Sequence, residues 1–404
     1  MNTPGLRQAR FRHRTMGFSI VELLVAVAVG LVLVLAVTGV LLRNEGRSRN
    51  TLAVNDVNQS GAFVAYLLDS AVRSAGSGFA NRWAETYGCR LNASRGGSAI
   101  LPRTAAWPAP FAGFPQAVRV APVIIGKGQS AGGSDIIAVM RGNAGVGEAA
   151  LEVLALGPPL GLRNTIGLEN NTLLLLADGD TDCLLLQTTG LTAPVSPETR
   201  WLNTGVDTVG LTGGTGAYHT VTGTNRSLAD FGNPTPSTVV VNLGNAGASG
   251  GTPTTAPQFT LYAVGANRTL FARDMLDIDG GATQALADGV VEMRALYGLD
   301  TDNNGTLDQW ADPGVAPFDT ASLLSGNAAA VQNLNSIIAV RIGLVLRTSQ
   351  REREVVAPET LTLFADLATA LRQTRTLTTD ERNYRHRTTE VTVPLRNVLL
   401  SRTP

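Results

Sequence analysis

Lysine is almost missing from this chain: Lys127 stands alone against 31 arginines, and 32 basic residues balance 32 acidic ones. The skew reflects base composition, and a chain of zero net charge does not carry the electrostatic footprint of a nucleic-acid binder. Cysteine is scarce too. Cys89 and Cys183 are too few for a disulfide scaffold and have the spacing of neither a zinc knuckle nor a redox pair. They can pair once outside the cytoplasm or remain two buried thiols; a bridge would close a loop worth roughly 4 kcal/mol in the chain-entropy view. The three histidines, His13, His219 and His386, are scattered, and none has a partner at metal-ligand spacing.

Catalytic signatures fail on context. Gly247-Ala248-Ser249-Gly250-Gly251 has the letters of a nucleophile elbow but no helix pattern behind it. Gly126-Lys127-Gly128 lacks the earlier glycine and the following helix of a phosphate loop. No enzymatic activity is expected. What is abundant points to a different kind of chain. The 44 glycines and 19 prolines, interspersed with Thr, Ser and Asn, favour turn-rich β structure, while 44% hydrophobic against 16% charged residues gives enough apolar content for a core.

The amino terminus departs from that pattern. Residues 1–17 are polar and basic, with Arg7, Arg10, Arg12, His13 and Arg14, and from Phe18 to Leu42 the only charge is Glu22. As a helix that run would span about 37 Å, enough for a bilayer. Ala26-Val27-Ala28, the nearest site for signal peptidase I, lies too early within the run. A carboxylate inside hydrocarbon costs on the order of 3 kcal/mol, so Glu22 needs a reason. Cleavage after Gly17 would supply one, because the new amine on Phe18 lies one helical turn from Glu22 on the same face.

Basic leader, Gly17, Phe18, Ser19 and Glu22 together resemble the prepilin motif of type IV pilins and pseudopilins. The resemblance implies cutting by prepilin peptidase after Gly17, N-methylation of Phe18, and an assembly role for Glu22 opposite the terminal amine of a neighbouring subunit. Gly133-Ser134-Asp135-Ile136-Ile137, Thr269 to Arg273, Val290-Val291-Glu292, Tyr297-Gly298 and Val393-Pro394-Leu395-Arg396-Asn397 are similar, in their order, to the PilW-type minor pilins. That branch implies a minor pilin that primes or caps the filament, with other minor and major pilins, the inner-membrane assembly machinery and the lipid bilayer as partners. It implies a single-pass inner-membrane protein with a periplasmic head, later part of the pilus. The alternatives are a minor pseudopilin of a type II secretion system, and a membrane-anchored periplasmic binding protein or adhesin.

Beyond Leu42, the spacing of Val54, Val57, Gly61, Val64, Leu68 and Val72 predicts that the helix continues with an amphipathic stripe until Gly76-Ser77-Gly78 stops it. The expected fold class is α+β: a long amino-terminal helix, half transmembrane and half amphipathic, packed on an antiparallel β-rich head. The expected parts are a leader 1–17, a helix 18–75 with its span at about 18–42, and a head 76–404, built on one sheet or two. Strands are expected near 135–140, 172–176, 183–187, 237–242, 258–264, 268–273, 289–297, 336–346 and 390–395, and loops or decorated edges over 203–236 and 244–257.

Asp300, Asp302, Asn304, Thr306 (through its carbonyl) and Asp308, with Gly305 between them, follow the first three-quarters of an EF-hand loop. The acid at its twelfth place is missing. Ala311 stands there and Asp312 comes next. Ca2+ at this loop and an Asp/Asn/Gly turn without metal are both compatible with the pattern.

Overall fold

The computed structural model describes residues 19–95, 98–145, 149–157, 159–179, 182–191, 207–211, 218, 227–247, 255–278 and 281–402. The chain divides into two compact units, Met1–Asn55 and Asp56–Pro404.

Helix α1 (Ile20–Arg73) ends where the glycines predict. Gly76 and Gly78 adopt φ +78° and +86°, which L side chains rarely tolerate. Within the second unit the stripe Val57, Val64, Leu68 and Val72 is buried, and Gly61 lies where a Cβ would sit 3.2 Å from Leu346. Asn397 completes the helix end by donating through Nδ2 to the carbonyls of Ser74 and Ala75, both at 3.1 Å. The helix does not continue past these carbonyls, and the Ser74 carbonyl otherwise accepts the Ser77 N–H of the following turn at 3.3 Å. Asn397→Ala is therefore expected to lower stability by about 1–3 kcal/mol, read as a shift of the urea midpoint. An unmoved midpoint would mean that water satisfies the same carbonyls.

In chain order the strands are β1 (Arg90–Arg95), β2 (Ser98–Leu101), β3 (Val123–Gly126), β4 (Ile136–Arg141), β5 (Leu151–Ala155), β6 (Leu160–Leu162) and β7 (Thr172–Ala177). Then follow β8 (Asp182–Leu191), β9 (Asp207–Leu211), β10 (Val239–Asn245), β11 (Gln258–Val264), β12 (Thr269–Asp274) and β13 (Thr283–Asp288). The last are β14 (Val290–Leu299), β15 (Gln309–Ala311), β16 (Ile337–Arg347), β17 (Thr360–Leu363), β18 (Gln373–Thr376) and β19 (His386–Pro394).

These strands form more sheets than the one or two expected. The main layers are a five-stranded sheet β13-β12-β11-β4-β3 and a four-stranded sheet β15-β14-β16-β19, with a β17-β18 hairpin beside the latter. The remaining eight strands run β2-β1-β8-β7-β10-β5-β6-β9, and an added β8–β9 pairing closes six of them into a small barrel. Every pairing is antiparallel except β1 with β8.

The barrel is an insertion. It lies between β4 and β11, which are direct neighbours with Arg141 opposite Gln258. Leu174, Leu176, Leu184, Leu186, Leu160, Leu162 and Val240 fill its interior. Leu173, Leu175, Leu185, Val239 and Val241 face the other way and join the main core. Burial on both faces is why these strands read as unbroken apolar runs and not as alternations. The stretch expected to be a loop or decorated edge over 203–236 contributes β9, which the apolar pattern misses because Val209 is its only fully buried side chain.

Alternation on β16 sorts the layers. Ile338, Val340, Ile342, Leu344 and Leu346 face the main core, whereas Val345 packs with Leu296, Leu363 and Phe364 on the opposite side. Gly343 lets that second layer approach, since a Cβ there would lie 3.0 Å from both Leu363 and Phe364.

Candidate functional site

Among the described residues, Ile20–Leu41 is the one helix long and apolar enough to cross a membrane, with mean hydropathy 3.0. Among the described residues none covers its side chains: Leu23, Leu24, Leu31 and Leu35 are 60%, 62%, 59% and 65% exposed. A continuous apolar surface of that size calls for lipid or another chain. Two hydroxyl groups are handled locally. Ser19 caps the start, accepting the Val21 N–H on its hydroxyl and the Leu23 N–H on its carbonyl, and Thr38 donates back to the Val34 carbonyl at 2.6 Å. Glu22 stands in the first helical turn, where the positive end of the helix dipole favours a carboxylate by about 0.3–1 kcal/mol. That is well short of the expense of burying it in hydrocarbon, so the helix alone does not account for Glu22. Gly17 and Phe18 lie outside the described residues.

The acidic loop folds back on itself. Asp300, Asp302 and Asp308 bring carboxylate oxygens within 4.8 Å of one another. Asn303 and Gly305 take φ +62° and +81°, aiming successive backbone N–H groups inward. Asp300 accepts from Asn304 N at 3.1 Å and Gly305 N at 2.8 Å, and it pairs with Arg402 Nη1. Asp302 accepts from Asn304 N and Nδ2, Asn304 from Thr306 N and Oγ1, and Asp308 from Thr301 N and Oγ1. The loop thus satisfies its own oxygens. A hard cation needs six to eight oxygens, and here it would first have to displace the Arg402 guanidinium. Asp312, the acid one place late, is held by Lys127 Nζ at 2.5 and 2.7 Å. Arg402 was invisible in the sequence because its partner lies 102 residues away.

Burial alone would push the Asp300 carboxyl up, but the Gly305 N–H, the Arg402 guanidinium and the Asn304 N–H hold it below the usual carboxylate range. A carboxyl lowered by folding contributes stability that is present above its unfolded pKa and lost as pH falls through the folded value. Urea unfolding of the full chain between about pH 6 and about pH 2 is expected to show acid destabilisation that Asp300→Asn flattens. Identical pH profiles for the two proteins would refute this role.

The landmarks noted along the sequence hold the layers together. Asp135, just before β4, is 1% exposed. Its carboxylate accepts from Gly128 N (2.9 Å), Ala295 N (2.9 Å) and Arg294 Nη1 (3.0 Å). Its own N–H donates to the Met293 carbonyl, and Ser134 Oγ accepts the Met293 N–H. Glu292 extends the chain of charges by accepting from Arg294 Nε at 2.6 Å and Arg375 Nη1 at 3.3 Å. Tyr297 accepts the Ile125 N–H on its hydroxyl at 2.6 Å. At Gly298 a Cβ would lie 2.7 Å from Leu307 and 2.9 Å from Ala339.

The structure joins Cys89 to Cys183 as a disulfide, with Cα atoms 5.5 Å apart. It lies at the parallel pairing of β1 with β8, next to the ion pair of Arg90 with Asp182 at 2.7 and 3.1 Å. Asn92 Nδ2 donates to the Asp182 carboxylate and to the Cys183 carbonyl.

No curated protein and no solved structure matches the chain. Residues 258–397 match the family model described as Type IV Pilus-assembly protein W. That span, about a third of the chain, runs from β11 through Asn397 and so includes both central strands of the four-stranded sheet, the Glu292 and Tyr297 contacts and the cap on α1. With an amino-terminal apolar helix ahead of an antiparallel head, this similarity supports a PilW-type chain involved in type IV pilus assembly.

Proposed function

We propose that the chain is a minor pilin, made with a leader 1–17, cut by prepilin peptidase after Gly17, N-methylated on Phe18, and assembled to prime or cap a type IV pilus. The remaining parts of this reading are a helix 18–75 with a span at about 18–42 and a periplasmic head 76–404. Its partners are other minor and major pilins, the inner-membrane assembly machinery and the bilayer.

The observation that carries the reading is Glu22: a single carboxylate in the first turn of an otherwise apolar, fully uncovered helix. A free amine on Phe18 would neutralise it, within the chain or from a neighbour. The match of residues 258–397 to a pilus-assembly family supports the same conclusion from the other end of the chain.

The test is mass spectrometry of the chain purified from cells with an active prepilin peptidase, together with the Glu22→Ala variant. The mature form is expected to begin at a methylated Phe18, and Glu22→Ala is expected to remain in the membrane and fail to enter filaments. An intact, unmodified amino terminus, or normal incorporation of the variant, would leave only an anchored binding protein. Purification with secretion components in place of pilus components would assign the same machinery to a pseudopilin.

A further inference from the structure

Arg347, the last residue of β16, is 9% exposed, a rare position for a guanidinium, because a charge taken out of water is ordinarily met by an opposite one. Here none meets it. The guanidinium lies over the Tyr384 ring, 3.7 Å from its centroid, and among the described residues no acceptor bonds any of its nitrogens. None of those nitrogens is enclosed, so they remain open to the surface. The strongest charge acting on Arg347 has the same sign: burial first and Arg268 second hold the guanidinium below its usual range, ahead of the opposing pull of Glu381 and Asp380. Register explains the approach. Thr269 stands opposite Asp288, so Arg268, exposed in the turn between β11 and β12 at φ +63°, falls beside Gly289, whose carbonyl accepts the Arg347 N–H at 2.8 Å.

The acids nearby are committed elsewhere. Glu381 accepts from Arg375 at 2.7 Å, Asp380 from Arg351 at 3.0 Å, and Asp288 from the Thr269 hydroxyl at 2.6 Å. His386, opposite Arg347 on β19, bonds the Tyr384 carbonyl through Nδ1 at 3.0 Å and adds no negative charge. Two arginines are left side by side without an acid of their own, and what they lack is an oxyanion. Stacking on Tyr384 uses the face of Arg347 and leaves its N–H edges in plane, the arrangement that grips two oxygens at once. A metal ion has the wrong sign. A carboxylate or a phosphodiester brings one negative charge to two positive ones, whereas a phosphate monoester carries about −1.5 to −2 and three acceptor oxygens. We propose that Arg347 and Arg268 form a binding site for a phosphate dianion, either the free ion or the terminal phosphate of a monoester, with Tyr384 orienting the inner guanidinium and Arg268 closing from the turn. The site lies wholly on the head, so it adds a ligand whichever machinery the chain serves.

The test titrates the full chain in a nonionic detergent at about pH 8, where phosphate is mostly dianionic. Inorganic phosphate, methyl phosphate, dimethyl phosphate and acetate are compared by calorimetry at equal ionic strength. Inorganic phosphate is expected to bind more tightly than dimethyl phosphate or acetate, and to raise the urea midpoint relative to chloride. Methyl phosphate binding beside it extends the site to a monoester on a larger molecule, and rejection of the ester assigns the free ion; either result bears the site out. Arg268→Gly removes one cation and suits the positive φ, and it is expected to weaken phosphate about tenfold or more. Arg347→Gln is expected to abolish binding, and Arg268→Gly carries the test if that variant fails to fold. Three results would overturn the proposal: neither heat nor a midpoint shift at about 20 mM phosphate, equal or tighter binding of dimethyl phosphate or acetate, or unchanged affinity in Arg268→Gly.

Discussion

Asp135→Ala is expected to destabilise the head by about 3–5 kcal/mol, a large share of the 5–15 kcal/mol typical of a folded domain. The size follows from what the carboxylate serves. Gly128 N and Ala295 N are committed to its two oxygens, and in the variant both become buried donors without acceptors. Arg294 keeps Glu292, so the loss is not that of an unpaired cation. It is the loss of the carboxylate that, beside the Ser134 hydroxyl, bonds the start of β4 to the middle of β14. Burial pushes the Asp135 carboxyl above its ordinary range, against Arg294 and the two N–H donors. The measurement is urea unfolding followed by circular dichroism. A loss below about 1 kcal/mol would mean that water or a backbone shift fills the gap.

Removing the disulfide is the second large change. Cys89 and Cys183 are 94 residues apart, and a cross-link over such a loop restricts the unfolded chain by about 4 kcal/mol in the entropy model. The paired variant Cys89→Ala with Cys183→Ala avoids burying a hydroxyl at two positions that are 1% and 0% exposed. Its urea midpoint is expected to drop by that equivalent, and reductant is expected to lower the parent protein to the same level. The Arg90 to Asp182 pair and Asn92 remain to hold β1 against β8, so the barrel should keep its topology while losing resistance to denaturant. A parent midpoint indifferent to reductant would refute the effect.

How far these features were readable in advance depended on whether the signal was local. The β11 to β12 hairpin was legible because apolar runs flank a short glycine turn, and the structure closes it with Gly265 N on the Thr269 carbonyl. The runs of β7 and β8 were legible as buried strands, and the stripe on α1 as one face. The barrel they build was not. Closure depends on β9 meeting β8 across residues that carry little apolar content, and on a chain excursion between two adjacent strands, neither of which leaves a periodic trace. β1 was missed because Arg90, Asn92 and Ser94 read as polar surface, although Asn92 and Ser94 are 2% exposed. The landmarks Asp135, Glu292, Tyr297 and Asn397 were noticed as letters and acquired reasons only when their partners, more than a hundred residues distant in most cases, came into contact. The same distance hid Arg402 from the reading of the acidic loop.

The placement of the barrel bears on how such a head can vary. Its entry and exit are Arg141 and Gln258, rungs of one ladder whose side chains also bond, Arg141 Nε to Gln258 Oε1 at 3.1 Å. Closing a loop becomes only slowly harder as it lengthens, by about 0.6 kcal/mol per doubling. The turns and edges of that module that send no side chain into the main core can therefore grow or shrink while everything after Gln258 keeps its geometry, whereas Leu173, Leu175, Leu185 and the Cys183 bridge bind its inner face to the head.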